Sequence, residues 1–133
     1  MYENLKGLRI GYALTGSYCT FEKSLMQAEK LVELGAELIP IMSENAASTD
    51  TRFGTAAEHI KRLRDICGRD VITSVADAEP IGPKSLTDIM AVIPCTSNTA
   101  AKLAGSITDT AVTMAVKSHL RGGKPVVFAI ASN

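Results

Sequence analysis

The stretch Ile89-Met90-Ala91-Val92-Ile93-Pro94-Cys95-Thr96-Ser97-Asn98-Thr99-Ala100-Ala101-Lys102-Leu103-Ala104-Gly105 decides how this chain reads. Its apolar run, Ile89 to Ile93, has the character of a buried strand. Pro94 has no N–H to give a ladder and is expected to end that strand. Small hydroxyl and amide residues follow, and a small-residue helix comes next. In open α/β sheets, a strand that passes through a polar turn into a helix N-terminus is where ligands are held. Unpaired N–H groups and the positive end of the helix dipole favour an anion there, most often a phosphate. Ser97 or Asn98 would serve equally well as a plain helix cap. The turn by itself leaves both roles open.

Upstream, Leu8 to Leu14 reads as a first strand, apolar enough to be buried on both faces. It enters Thr15-Gly16-Ser17 and then a helix on Phe21, Leu25, Ala28 and Val32, with Thr20 as cap and Gly35 as stop. Glu37 to Met42 is a second strand, and its Pro40 marks an edge or a bulge. Ser43 to Gly54 reads as a long loop, of the kind that is either functional or mobile. Thr55 and Glu58 form a capping box for a helix that Gly68 closes. Val71 to Val75 is expected to be a third strand, and Asp77 to Lys84 a loop punctuated by prolines. Downstream, Thr110 caps a helix along Val112, Val116 and Leu120, and Pro125 to Ala131 is a last strand. Alternating strand and helix signals of this kind predict a parallel sheet of about five strands with helices on both faces. The last strand meets only Ser132 and Asn133, which reads as a chain cut before its next loop.

Composition narrows the function classes. The chain has 133 residues, the length of one domain, with 14 basic and 14 acidic side chains and no net charge. That balance lacks the basic excess of a nucleic-acid binder. With three Phe, three Tyr and no Trp, stacking platforms for single strands are also scarce. Cys19, Cys67 and Cys95 are odd in number and form no CxxC pair, which points to reduced thiols and a cytoplasmic protein. No membrane-spanning apolar run or signal-peptide pattern is present.

The turns Thr15-Gly16-Ser17 and Thr96-Ser97-Asn98 are then expected to face each other across a switch point. Together they would offer hydroxyls and helix-end amides without charge, which suits a phosphate monoester. Gly11 and Gly16 have the spacing of a Walker A loop, but the following Lys is absent and Gly11 lies within a strand. A GxGxxG dinucleotide fingerprint is also lacking. His59 is expected to be exposed beside Glu58, and His119 to meet the negative end of its helix. No triad order and no metal-ligand pair is visible. Cys19, one turn after Gly16, is expected to be a buried thiol despite the helix N-terminus nearby. Arg52, a cation in the long loop after the second strand, is a candidate for binding a substrate carboxylate bidentately.

Leu14-Thr15-Gly16-Ser17 and Pro94 to Asp109 resemble the flavoprotein family of homo-oligomeric flavin-containing cysteine decarboxylases. The family's Pro-Ala-Ser-Ala-Asn-Thr signature is similar to Pro94-Cys95-Thr96-Ser97-Asn98-Thr99. Thr49 to Gly54 and Glu79 to Lys84 look like its dipicolinate synthase B-subunit branch. The resemblance covers essentially the whole chain. It implies a three-layer α/β/α, Rossmann-like (flavodoxin-like) domain over residues 1–133 that lacks the C-terminal part of the family fold. It implies FMN as cofactor, with Gly16 and Ser17 at the phosphate and Ser43, Thr96, Ser97 and Asn98 on the phosphate, ribityl chain or ring. It further implies a sporulation oxidoreductase that oxidises dihydrodipicolinate, a small dicarboxylate, to dipicolinate. An A subunit would be its partner, and the chain itself would form homo-oligomers. The decarboxylases' His before the fourth strand has no counterpart around Pro83 to Leu86, and their substrate-clamping segment would lie beyond Asn133. Cysteine decarboxylation is therefore not expected. The alternatives are an interaction subunit that keeps the fold without catalysis, or another FMN-dependent enzyme of the family.

Overall fold

The computed structural model describes residues 4–131. Four strands, β1 (Arg9–Leu14), β2 (Glu37–Met42), β3 (Ile89–Thr96) and β4 (Val126–Ala131), form one sheet in the order β2-β1-β3-β4. All three pairings are parallel. Six α-helices connect them: α1 (Phe21–Glu33), α2 (Glu44–Ser48), α3 (Ala56–Cys67), α4 (Val75–Ala78), α5 (Ser97–Ala104) and α6 (Ala111–Leu120). Phe21, Leu25 and Ala28 of α1 and Leu63 of α3 cover one face of the sheet, packing on Tyr12, Leu14 and Leu38. Ala111, Val112, Ala115 and Val116 of α6 cover the other, packing on Ala13, Ile41 and Met90. This is the three-layer arrangement that the alternation predicts, because apolar strand faces on both sides each require a helical cover.

The predicted third strand does not form as a strand. Ile72 donates to the Pro40 carbonyl and accepts from the Met42 N–H, both at 2.9 Å, and this single bridge is its whole pairing with β2. The chain then turns away, because the Ser74 hydroxyl accepts from the Asp77 N–H and starts α4. Asp77 to Lys84 is correspondingly not all loop: it holds the end of α4 and a 3-10 turn over Glu79–Ile81. Pro40 does lie on an edge strand, as expected.

Pro94 does not end β3. The strand continues to Thr96, with a cis Ile93–Pro94 peptide and a register shift against β4 between Val92 and Cys95. Pairing of β1 with β3 stops at Ala13 and Val92, whereas β3 pairs again with β4 at Cys95 and Thr96, beyond the shift. Strand β4 is the other edge, and its Val127, Phe128 and Ile130 are 42% to 60% exposed. Ser132 and Asn133, on which the expectation of a cut ending rests, lie outside the described residues.

Three helix ends follow the sequence signals closely. Thr55 and Glu58 make the full capping box of α3, and Gly68 closes it in the left-handed conformation at φ 70°. Thr110 caps α6 through the Thr113 N–H, and the Thr113 hydroxyl completes a box in return. Thr20 is the residue before α1, but its hydroxyl donates back to the Ser17 carbonyl at 2.7 Å rather than capping the helix.

Candidate functional site

Because β1 and β3 are neighbours, the turns that follow them face each other at the carboxyl ends of the strands. A groove of about 680 Å³ opens there. Its walls include Gly16 after β1, Ser43 after β2, and Thr96 and Asn98 at the start of α5. Four of the seven predicted site residues are thus brought together. Ser17 and Ser97 flank them in the chain but are not part of the wall.

Arg52 is not brought to the groove. It sits in a tight turn closed by two 3.0 Å backbone bonds between Thr51 and Gly54, exposed, with its guanidinium 5.0 Å from the Phe53 ring centroid. Thr49, three residues before it, does line the groove.

The two turns are joined by one side chain. Thr15, 1% exposed, donates its hydroxyl to the Pro94 carbonyl at 2.8 Å and accepts from the Thr96 N–H at 2.9 Å. Its own N–H also donates to the Pro94 carbonyl, at 3.1 Å. Ser17 N–H then donates to Thr15 O at 2.8 Å, which folds the turn back on itself.

Three helix N-termini converge on the groove, and their caps differ. Ser43, expected in a loop, caps α2: its hydroxyl accepts from the Ala46 N–H at 3.2 Å. At α6, the Glu44 carboxylate accepts from the Ala111 N–H at 2.9 Å, so a protein carboxylate already serves that N-terminus. At α5 the cap is Thr96, not Ser97 or Asn98, and its hydroxyl accepts from the Thr99 N–H at 3.2 Å. The N–H groups of Ser97 and Asn98 precede any intrahelical partner, and both side chains are exposed. Among the three, only α5 has neither an acidic residue in its first turn nor a carboxylate bound to its first N–H groups. An anion is best accommodated there, where free N–H groups and the positive dipole end are not already neutralised.

The groove is not free of charge, contrary to the sequence expectation. Glu44, Lys102 and Asp109 all line it, and Lys102 Nζ meets Asp109 Oδ1 at 3.0 Å. Glu44 escaped notice because Ser43 to Gly54 reads as loop, although a Ser-Glu start is itself a helix N-terminus signal. Tyr18, whose hydroxyl donates to the Asn45 carbonyl at 3.0 Å, forms part of the rim. Nothing local in the sequence announces that role.

The other candidate residues lie elsewhere. His59 is buried at 8% exposure, with its ring edge against Phe21 at 4.9 Å between centroids, rather than exposed beside Glu58. His119 is 2% exposed and held on both nitrogens, Nδ1 2.7 Å from the Thr87 hydroxyl and Nε2 2.8 Å from the Pro125 carbonyl. The carbonyl can only accept, so Nε2 carries the proton and Nδ1 accepts from Thr87. Neither histidine lines the groove. Cys19 is exposed rather than buried, because the 3-10 turn Tyr18–Thr20 holds it outside the core. Burial pushes the Cys67 thiol up to about 12 and raises that of Cys95. Among the described residues, no group of His, Cys, Asp and Glu could hold a metal, and no helix is long and apolar enough to cross a membrane.

A polar groove at a βα switch point is shared by many α/β folds, and comparison with known proteins narrows it. A model of the flavoprotein family matches residues 1–133. The chain belongs to the flavoprotein family. It is 47% identical over 130 residues to the B subunit of dipicolinate synthase of Bacillus subtilis, covering 98% of this chain and 65% of that one. The crystal structure of the corresponding B subunit from Bacillus halodurans superposes with a TM-score of 0.85 at 42% identity, covering 97% of this chain and 66% of that one. The chain therefore spans just under two thirds of the length of both relatives. A more distant fold relative, AnUbiX (PadA1), was crystallised with FMN and dimethylallyl pyrophosphate. It superposes with a TM-score of 0.73 at 22% identity, covering 92% of this chain and 64% of that one.

Proposed function

We propose that the groove binds FMN and that the chain works as the flavin-carrying B subunit of a dipicolinate synthase, oxidising dihydrodipicolinate to dipicolinate with an A subunit as partner. The observation that carries this reading is the pairing, across one groove, of the Thr15-Gly16-Ser17 turn with the first turn of α5, where Thr96 caps the Thr99 N–H and those of Ser97 and Asn98 precede any intrahelical partner. The groove's 680 Å³ lies within the roughly 300–1,000 Å³ typical of small-molecule sites. The chemistry also fits. Ser97 and Asn98 offer N–H groups and exposed polar side chains to an anion, and the three carboxylate- or ammonium-bearing wall residues are already engaged. Similarity to the two synthase B subunits, and the FMN carried by AnUbiX, support the assignment.

Within it, Gly16, Ser17, Ser97 and Asn98 hold the phosphate, while Ser43 and Thr96 face the rest of the cofactor. When bound, FMN supplies a two-electron acceptor. Oxidation of the dihydropyridine ring removes two hydrogens, and the residues here bind and orient rather than transfer protons. Arg52, outside the groove wall on the exposed turn beyond Thr49, is kept as the candidate for a substrate carboxylate that approaches from that side. An Arg52→Ala variant that still gives full dipicolinate output with its partner removes Arg52 from the mechanism.

The cofactor assignment is tested by titrating the purified chain with FMN and following the visible flavin bands. Saturable binding at micromolar FMN, reduced in a Ser97→Ala/Asn98→Ala variant, is the expected result. An unperturbed flavin spectrum at that concentration would sink the reading. One observation favours the second reading, a non-catalytic interaction subunit: Glu44 and Asp109 both have partners, so neither is free to act as a base. Unchanged dipicolinate production by the A subunit alone would select it.

A further inference from the structure

We infer that Thr15 is a positioning residue whose hydroxyl fixes the α5 N-terminus against the β1 turn, and thereby sets the spacing of the anion-binding groups. The inference rests on the FMN reading for its functional consequence. Its structural basis is independent of that reading.

Strand β3 loses its ladder to β1 just where the site begins, and pairs again with β4 only from Cys95. Its pairing with β1 ends at Val92, and its register with β4 shifts between Val92 and Cys95. The carbonyls of Ile93 and Pro94 and the N–H of Thr96 therefore need partners from side chains or turns. Two side chains supply much of this. Ser24 of α1 donates its hydroxyl to the Ile93 carbonyl at 2.6 Å, and the Tyr12 hydroxyl in turn donates to the Ser24 carbonyl at 2.6 Å. Thr15 takes the next two residues, donating to Pro94 O at 2.8 Å and accepting from Thr96 N–H at 2.9 Å.

The two ties differ in what they hold. The Ser24 bond anchors the strand before the proline and touches neither turn. The Thr15 bonds link the residue preceding Gly16 to the residue preceding Ser97. A shift of Thr15 relative to Thr96 therefore changes the gap between the two sets of groove N–H groups. The hydroxyl must donate and accept at once. Serine can do both, valine neither, and cysteine only weakly.

The test compares four variants of the 133-residue chain. Thr15→Val is expected to bind FMN about tenfold more weakly, the loss of roughly one well-placed hydrogen bond's worth of positioning. Thr15→Ser should bind as the unaltered chain does, and Ser24→Ala should lower the unfolding midpoint while leaving FMN affinity unchanged. Thr15→Cys, read against Thr15→Ser, replaces the valine variant if the latter does not fold. Equal FMN affinity for the Val (or Cys) and Ser variants, or an equal loss in Ser24→Ala, overturns the inference. Amide exchange at Thr96 separates this outcome from failure of the FMN reading. If the unaltered chain binds no FMN, faster Thr96 exchange in Thr15→Val (or Thr15→Cys) but not in Thr15→Ser still supports the positioning role, whereas unchanged exchange overturns it.

Discussion

Asp88, just before β3, accepts from the Arg9 guanidinium at 2.8 Å and 3.2 Å and from the Arg9 backbone N–H at 2.9 Å. The guanidinium bonds, with the backbone bond second, hold its carboxyl at about 2, below the ordinary 3.8. A carboxyl depressed by folding stabilises the protein above its unfolded value, and that contribution disappears as pH falls through the folded one. The chain should therefore lose stability between about pH 4 and about pH 2, and Asp88→Asn should flatten the denaturation midpoint across that window. An equally steep loss in the variant would assign it to other carboxylates. Single residues were the least legible level of this chain. His59 reads as exposed beside Glu58 and His119 as meeting its helix end, yet both are buried, because α3 turns one toward Phe21 and α6 packs the other between Thr87 and Pro125. Such partners lie far away in sequence, and no local pattern reveals them.

Elements were more legible where a local rule suffices. Thr55, Glu58 and Gly68 bound α3 as read, because capping groups act on neighbours three or four residues away. Where a distant partner decides, the local reading failed. Pro94 looks like a strand end, but its carbonyl and the following residues still find partners in Thr15 and β4. Val71 to Val75 looks like a strand, but only Ile72 meets β2 before Ser74 opens α4. Gly82 shows the same dependence between elements. Its N–H donates to the Ser118 hydroxyl at 2.7 Å, and that hydroxyl donates to the Glu79 carbonyl at 2.6 Å, seating α6 on the 3-10 turn. A Cβ at position 82 would press into the Ser118 carbonyl. Gly82→Ala should therefore cost about 1–3 kcal/mol, as overpacking of a close contact does. A urea midpoint equal to that of the unaltered chain would show that α6 yields freely.

At the scale of the whole molecule, the sequence by itself determined the class of fold. Alternating apolar strands and amphipathic helices can bury their surfaces only by layering helices on both faces of a parallel sheet. It also pointed to the two turns that line the groove, since Gly16, Thr96 and Asn98 are recognisable by residue type and position after a strand. The tertiary structure decided the rest. The order β2-β1-β3-β4 brought the turn after β1 beside the turn after β3, and made Thr15 the tie between Pro94 and Thr96 across 79 and 81 residues of chain. It also placed Glu44 on the N-terminus of α6, which gave a groove first read as uncharged its own carboxylate and left α5 as the helix end open to an anion. Arg52, by contrast, stayed outside on its own turn. The physical reason is range. Backbone propensities and caps act over a few residues and are written in the sequence. The meeting of turns, hydroxyls and carboxylates depends on strand order and register, which only the packing of the whole chain fixes.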